Sequence, residues 1–348
     1  DEFEAVLGGM IEAVVVTGAR GEVVLLNGAA RRLFALDPEA QYRGRAFIEL
    51  CRDPRLQEFV ARAMRDPQRA VATAEVVIQN PAPRHLAVNA APVGASNAWV
   101  MVFHDITQLK HYETARTDFI ANLTHELRTP LSALYGYAET LMQGVEDADT
   151  RHRFLGIIDR QARRLARLLD DLISLSDLER GISPLECEAL DGRAVVEEAV
   201  ELMRETARRQ GVALESGSGD GPLPLLGDRD RLHEVMLNLL DNAIKYTPRG
   251  GRVVASVVPG TLNGAGQETR PGVAFAVSDT GEGIPQADIP RLTERFFRVD
   301  RARSRELGGT GLGLAIVKHI VQLHHGTLRI DSRVREGTTV TVTLPATE

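Results

Sequence analysis

Between residues 108 and 142 the apolar side chains Phe119, Leu123, Leu127, Leu131, Leu134 and Leu141 recur at helical spacing with polar residues between them. A second run repeats the pattern with Phe154, Ile157, Ile158, Leu165, Leu168, Leu169, Leu172 and Leu175. Both predict long amphipathic helices, and the short acidic break at 144–150 between them predicts an antiparallel hairpin. One hairpin leaves such a stripe too exposed, whereas two paired as a four-helix bundle bury it, so a homodimer is expected. With Phe119, Leu123 and Leu127 turned inward, His125 faces solvent. Pro130 falls inside the first helix, where it cannot donate to the carbonyl of Glu126, and a bend about one turn past His125 is expected.

The regions on either side carry mixed patterns. Short apolar strands are predicted at 13–17, 22–26, 73–78, 85–90 and 98–104, with helical segments between Gly28 and Arg65, which gives a small antiparallel sheet flanked by helices. The arrangement resembles a PAS sensory domain, and His104-Asp105-Ile106-Thr107 resembles the Asp-x-Thr junction through which such domains feed a following helix. Leu50-Cys51-Arg52-Asp53-Pro54 does not match the reactive-cysteine flavin motif, and a ligand-free dimerisation module is an equal reading of this region. After Gly181 and Pro184, strands are expected near 185–190, 212–215, 252–258, 273–278, 326–331 and 338–344. Helices are expected over 192–209, 228–246 and 312–324, so this part is an α/β sandwich with helices on one face. The whole is a multidomain α+β chain divided at 1–105, 106–182 and 183–348.

Composition narrows the classes of function. An apolar fraction of 43% and a charged fraction of 26% in 348 residues are those of a globular chain with room for two or three cores. With 41 basic against 48 acidic residues the net charge is −7, which gives no electrostatic footprint for direct nucleic-acid binding. Two distant cysteines, Cys51 and Cys187, argue against a disulfide framework and fit a reducing cytoplasm. The uncharged stretch 86–104 holds Asn89, Pro92, Gly94, Ser96 and Asn97, a turn between strands and not a membrane span. No membrane contact is therefore expected of this segment. The chain begins at Asp1 without methionine, which reads as a fragment or processed form whose parent could carry a membrane anchor.

Candidate chemistry lies in four places. In Phe119-Ile-Ala-Asn-Leu-Thr-His-Glu-Leu-Arg-Thr-Pro-Leu-Ser132, His125 and Thr129 share one helical face and Glu126 flanks the histidine. The segment lacks the second histidine of a His-Glu-x-x-His zinc site. In the helix after Gly227, Leu232, Val235, Met236, Leu239 and Leu240 form an apolar face, and Glu234, Asn238, Asn242 and Lys245 fall on the other. Two amides, a carboxylate and an ammonium so aligned suit Mg²⁺ and a polyphosphate, although alone they equally suit a solvated face. The strand 273–278 ends at Asp279, followed by Gly281 and Gly283, so a carboxylate is presented where backbone can approach a flat ligand; Asp279 could accept from an adenine amino group. Finally, Gly308-Gly-Thr-Gly-Leu-Gly-Leu314 opens an apolar helix and aims backbone N–H groups at phosphate, without matching dinucleotide or Walker spacing. The connection 285–307, with Phe296, Phe297, Arg298, Arg301, Arg303 and Arg305, is expected to be a mobile lid.

Taken together these motifs closely resemble the bacterial sensor histidine kinases of two-component systems, and most resemble the phosphate-regulon sensors. His125 falls in the H box, Asn238 to Tyr246 in the N box, Asp279 to Gly283 in the first glycine box, Glu294 to Phe297 in the F box and Gly308 to Gly313 in the second glycine box. His325-Gly326-Thr327 departs from the usual His-Gly-Gly. The resemblance implies a PAS-like sensor, a dimeric four-helix bundle and a Bergerat-type ATP-binding sandwich. It implies MgATP held by Asn238, Asn242, Glu234, Lys245, Tyr246, Asp279, Gly281, Gly283, Arg298, Gly309, Thr310, Gly311, Leu312 and Gly313, with Asn238, Asn242 and Glu234 at the metal. It further implies phosphorylation of His125 with Glu126 as the candidate base, transfer to an aspartate of a response regulator, and water positioning by Thr129 for dephosphorylating that partner. A gyrase-type or MutL-type ATPase shares the nucleotide boxes but lacks the His-Glu-Leu-Arg-Thr-Pro hairpin. A phosphatase-dominant sensor without net kinase output stays open.

Overall fold

The structure, a computed structural model, describes residues 7–65, 71–79, 82–93, 98–180, 184–217, 219, 221–263, 269–300 and 309–347. The chain divides into two compact units, 1–118 and 119–348.

In the first unit, strands β1 (Ala13–Thr17), β2 (Val23–Leu26), β3 (Ala72–Ile78), β4 (Arg84–Val93) and β5 (Ala98–Asp105) form one antiparallel sheet in the order β2-β1-β5-β4-β3. Helices α1 (Gly28–Leu33), α2 (Phe47–Leu50) and α3 (Pro54–Arg65) come between the second and third strands. Asn27 caps α1 by accepting from the Ala30 amide, and the same oxygen accepts from Val14 on β1. The core centres on Phe34, Phe47 and Phe103, with the last two stacked at 6.1 Å between ring centroids. At its end, Thr107 donates to Asp105 Oδ1 at 2.5 Å and accepts from the His85 amide at 2.9 Å, which ties the Asp-x-Thr junction back onto β4.

Helix α4 (Thr107–Met142) runs through Pro130 as one helix, and α5 (Ala148–Arg180) returns antiparallel to it. The pairs Tyr137–Phe154 and Glu126–Arg164 fix that direction. Beyond it come β6 (Cys187–Asp191), α6 (Gly192–Gln210), β7 (Ala213–Ser216), β8 (Pro224–Asp228), α7 (Arg229–Tyr246), β9 (Arg252–Asn263), β10 (Thr269–Asp279), α8 (Gly313–Leu323), β11 (Thr327–Arg333) and β12 (Gly337–Pro345). The main sheet is ordered β11-β12-β10-β9-β7, antiparallel except for β7 against β9, and β6 pairs with β8 in a separate ribbon. The short strand β8 was not expected from the sequence, and β9 and β10 run longer than expected.

The apolar stripe of α5 does not serve one surface only. Leu168, Leu175 and Leu178 are buried in the same core as Leu232, Leu239, Ile316 and Ile320 of α7 and α8, and Phe119, Leu123 and Leu127 of α4 pack partly against it. Ile120, Leu131, Tyr135, Leu155, Leu169 and Ile173 stay exposed. The expectation that the whole stripe faces a partner hairpin is therefore corrected. Part of it covers the chain's own α/β sandwich.

Candidate active site

Helix α7 begins where Asp228 caps it, accepting from the Arg231 amide at 3.1 Å. Its apolar face, Leu232, Val235, Met236, Leu239, Leu240, Ala243 and Ile244, is buried, so Glu234, Asn238, Asn242 and Lys245 are turned to a cavity of about 920 Å³. Asn238 is set by its own helix, donating from Nδ2 to the Glu234 carbonyl at 3.0 Å. That side chain packs directly on Gly313, where a Cβ would stand 2.6 Å from Asn238 Oδ1 and push it aside. Both carboxylate oxygens of Glu234 already accept, one from Ser174 at 2.7 Å and the other from Arg231 at 2.9 Å. Lys245 is ion-paired with Asp241 one turn earlier.

Asp279 ends β10 and enters the cavity beside Val277, Ile330 and Val340. Its Oδ1 accepts from the amides of Gly281 at 2.8 Å and Thr338 at 3.2 Å, which fixes the carboxylate plane. Burial pushes the carboxyl above the ordinary range, against the opposing pull of those two amides. Gly283 follows with φ +68°, and a Cβ there would stand 1.9 Å from the Arg333 carbonyl, so the turn that carries Asp279 admits no larger residue.

The second glycine segment lies across the cavity. Gly309, Thr310, Gly311 and Gly313 line it together with Tyr246 and Arg298. Gly311 accepts from the amide of Phe296 at 2.8 Å, and Phe296, although not glycine, sits at φ +63° with its ring buried against Phe119 of α4, centroids 5.6 Å apart. The strained residue thus joins the glycine loop to the helix that carries His125. Arg298 is 4% exposed and donates from Nη2 to Glu126 at 3.2 Å, while its Nε and Nη1 are buried without a partner. Two orphaned guanidinium donors on a cavity wall are what an anionic ligand would satisfy. Cavity size, the Asp279 acceptor and these donors fit a nucleoside polyphosphate.

Two residues expected at the nucleotide are not on the cavity wall. Gly281 donates its amide to Asp279, and Leu312 is fully buried in the core, its amide donating to Thr310 Oγ1 at 3.3 Å. His125, Glu126 and Thr129 sit on α4 outside the cavity lining. His125 is exposed, as the stripe predicts, and Thr129 donates to the His125 carbonyl at 3.1 Å. Glu126 is gripped by Arg164 at 2.7 Å as well as by Arg298. Arg301, Arg303, Arg305 and Gly308 of the expected lid and loop lie outside the described residues.

The sequence reading missed Asp171 and Arg167, which line the cavity from α5. Asp171 accepts from Thr310 Oγ1 at 2.6 Å. Its carboxyl is pushed up by burial and by the nearby Glu234 carboxylate, while the Thr310 bond opposes this. A signal was available: Asp171 falls on the face of Leu168, Leu172 and Leu175, where a carboxylate is out of place unless it meets a partner.

Three family models match in chain order. They are described as PAS fold over 8–111, His Kinase A (phospho-acceptor) domain over 115–181, and histidine kinase-, DNA gyrase B- and HSP90-like ATPase over 227–348. The phosphate regulon sensor protein PhoR of Pseudomonas aeruginosa is 33% identical over 351 residues, covering 98% of this chain and 73% of that protein. The chain belongs to the sensor histidine kinases. The gyrase-type alternative falls with the phospho-acceptor match over 115–181, upstream of the ATPase region at 227–348. The sensor histidine kinase WalK of Bacillus subtilis is 31% identical over 354 residues, covering all of this chain but 56% of WalK, so the chain spans little more than half of that relative. The histidine kinase ThkA, solved in complex with the response regulator protein TrrA, shares the fold over 99% of this chain and 98% of its own, with a TM-score of 0.53 and 20% identity. Among the described residues no helix is long and apolar enough to cross a membrane.

Proposed function

We propose that this chain binds MgATP in the cavity between α7, Asp279 and the second glycine segment, and transfers the γ-phosphoryl group to a ring nitrogen of His125. Asp279 would accept from the adenine amino group, and Arg298 and Lys245 would meet the phosphates. Asn238 and Asn242, with Glu234 if it yields a hydrogen bond, would hold Mg²⁺, which would supply positive charge against the phosphates. In the transfer, the bond from the γ-phosphorus to its bridging oxygen breaks, a P–N bond forms, ADP leaves, and the imidazole proton passes to a base. Glu126 is the nearest carboxylate in sequence and the candidate for that base, with Arg164 and Arg298 both bonded to its Oε2. The division into a sensory part (1–105), a hairpin (106–182) and a catalytic part (183–348) belongs to the same reading.

The observation that carries this proposal is the link between acceptor segment and nucleotide cavity, Glu126 next to His125 being bonded to the cavity-wall residue Arg298. The exposed apolar residues of the hairpin support a homodimer through a four-helix bundle. Exposed His125 with Thr129 one turn on supports docking of a response regulator, as ThkA docks TrrA, with phosphoryl transfer to its aspartate and its later dephosphorylation. Incubation with γ-labelled ATP and Mg²⁺ tests the central step. Acid-labile, alkali-stable label is expected on the wild type and not on His125→Gln, which still binds ATP; no label on the wild type despite ATP binding would remove the kinase reading.

A further inference from the structure

The groups placed to receive phosphate each hold a carboxylate. Thr310 holds Asp171, Arg298 holds Glu126, and Lys245 holds Asp241. Asp241 belongs to the catalytic fold itself, one helical turn from its lysine. Asp171 and Glu126 come instead from the two helices of the hairpin, more than 100 residues away in sequence from Thr310 and Arg298. Thus two of the three carboxylates belong to a different structural element from the cation or hydroxyl they satisfy.

Resting on the proposed ATP site, we propose that Asp171 and Glu126 are internal stand-ins for phosphate, which a nucleotide's polyphosphate displaces. Binding of the triphosphate and docking of the hairpin on the glycine loop are then antagonistic. Asp171 is the specificity-determining member. It lines the same cavity as Lys245, Asn242 and Thr310, so a polyphosphate on those groups and an ionised Asp171 are like charges in one partly desolvated space. The hydroxyl of Thr310 has a single proton to donate, so it serves either the carboxylate or a phosphate oxygen. Arg298 differs, since its unpartnered Nε and Nη1 can take phosphate oxygens first and draw the guanidinium off Glu126. Loss of that bond leaves Glu126, beside His125, with Arg164 alone. The device releases Glu126 from Arg298 only when the polyphosphate is present. It also discriminates by phosphate number, because adenosine places no charge near Asp171.

The test is binding of adenosine, ADP and ATP, each with Mg²⁺, to the full chain and to Asp171→Asn, by calorimetry. Asn can still accept from Thr310, so only the charge is removed. The expected result is ATP affinity raised between about five- and about a hundredfold, ADP affinity raised less, and adenosine affinity unchanged. Unchanged or weakened ATP affinity, or an equal gain for adenosine, overturns the inference. Should Asp171→Asn not fold, hydrogen exchange of the wild type decides. ATP is expected to speed amide exchange around residues 168–178 of α5 while adenosine does not, and ATP-induced slowing there overturns the inference. Absence of ATP binding by the wild type would overturn the proposed function and this inference together, whereas a failed Asp171→Asn prediction with wild-type binding intact removes this inference alone.

Discussion

Asp279 shows at the level of one residue how a binding site is built against stability. Its carboxyl is raised by burial even though two backbone amides point at it. A raised folded-state value means that the native protein holds the proton more tightly than the unfolded chain. Ionisation therefore costs stability, a cost absent below the ordinary carboxylate range and growing as pH rises through the folded value. Asp279→Asn keeps an oxygen for the amides of Gly281 and Thr338 and removes the charge. Without nucleotide the variant is expected to melt a few degrees above wild type at pH 7, with the gap closing in the acid range, and to bind ATP far more weakly. Calorimetric scans across pH with parallel ATP titrations check both; equal melting at neutral pH with full ATP affinity would contradict the role given to this carboxylate. The residue was legible in the sequence because a buried strand ending in Asp-x-Gly-x-Gly is a local pattern. Asp171 was not, because its partner Thr310 is brought to it only by tertiary packing.

Among the elements, α5 carries the most information. Its Leu168, Leu175 and Leu178 belong to the core of the α/β sandwich, while Leu169 and Ile173 on the same helix stay exposed. Leu175→Ala is expected to cost about 2–5 kcal/mol in chemical denaturation of the second unit, as for a fully packed leucine; a cost below about 1 kcal/mol would mean that α5 is not integral to that core. Periodicity revealed α4, α5 and α7 since each has a continuous apolar stripe. It could not tell which part of the α5 stripe meets which surface. Strand β8, Pro-Leu-Leu-Gly-Asp, reads as a turn because proline and glycine break strand patterns, and it survives as one side of a two-stranded ribbon. Strand β9, expected over 252–258, continues through Pro259, which pairs with Val273 of β10. Among the described residues its pairing with β7 ends at Ala255, so the proline, which has no N–H, falls where β9 has a strand neighbour on one side only.

For the whole molecule, the three matched regions in order (sensor-like, phospho-acceptor, ATPase-like) define the family, and the last two are joined through Glu126 and Arg298. The exposed apolar face of the hairpin is assigned to a second copy. Ile173→Glu is expected to shift the chain from dimer to monomer in sedimentation equilibrium while leaving ATP affinity intact, and an unaltered dimer would place the interface elsewhere. The link from Glu126 through Arg298 joins the helix of His125 to the wall of the nucleotide cavity, and His125 is the proposed destination of the phosphoryl group. The most direct measurement is peptide mapping by mass spectrometry, under alkaline conditions, after incubation with ATP and Mg²⁺. A single phosphoryl group on the peptide containing His125, with ³¹P resonance typical of a P–N bond, is the predicted result. Phosphate on any other residue, or ATP consumed with no modified peptide, would contradict the account.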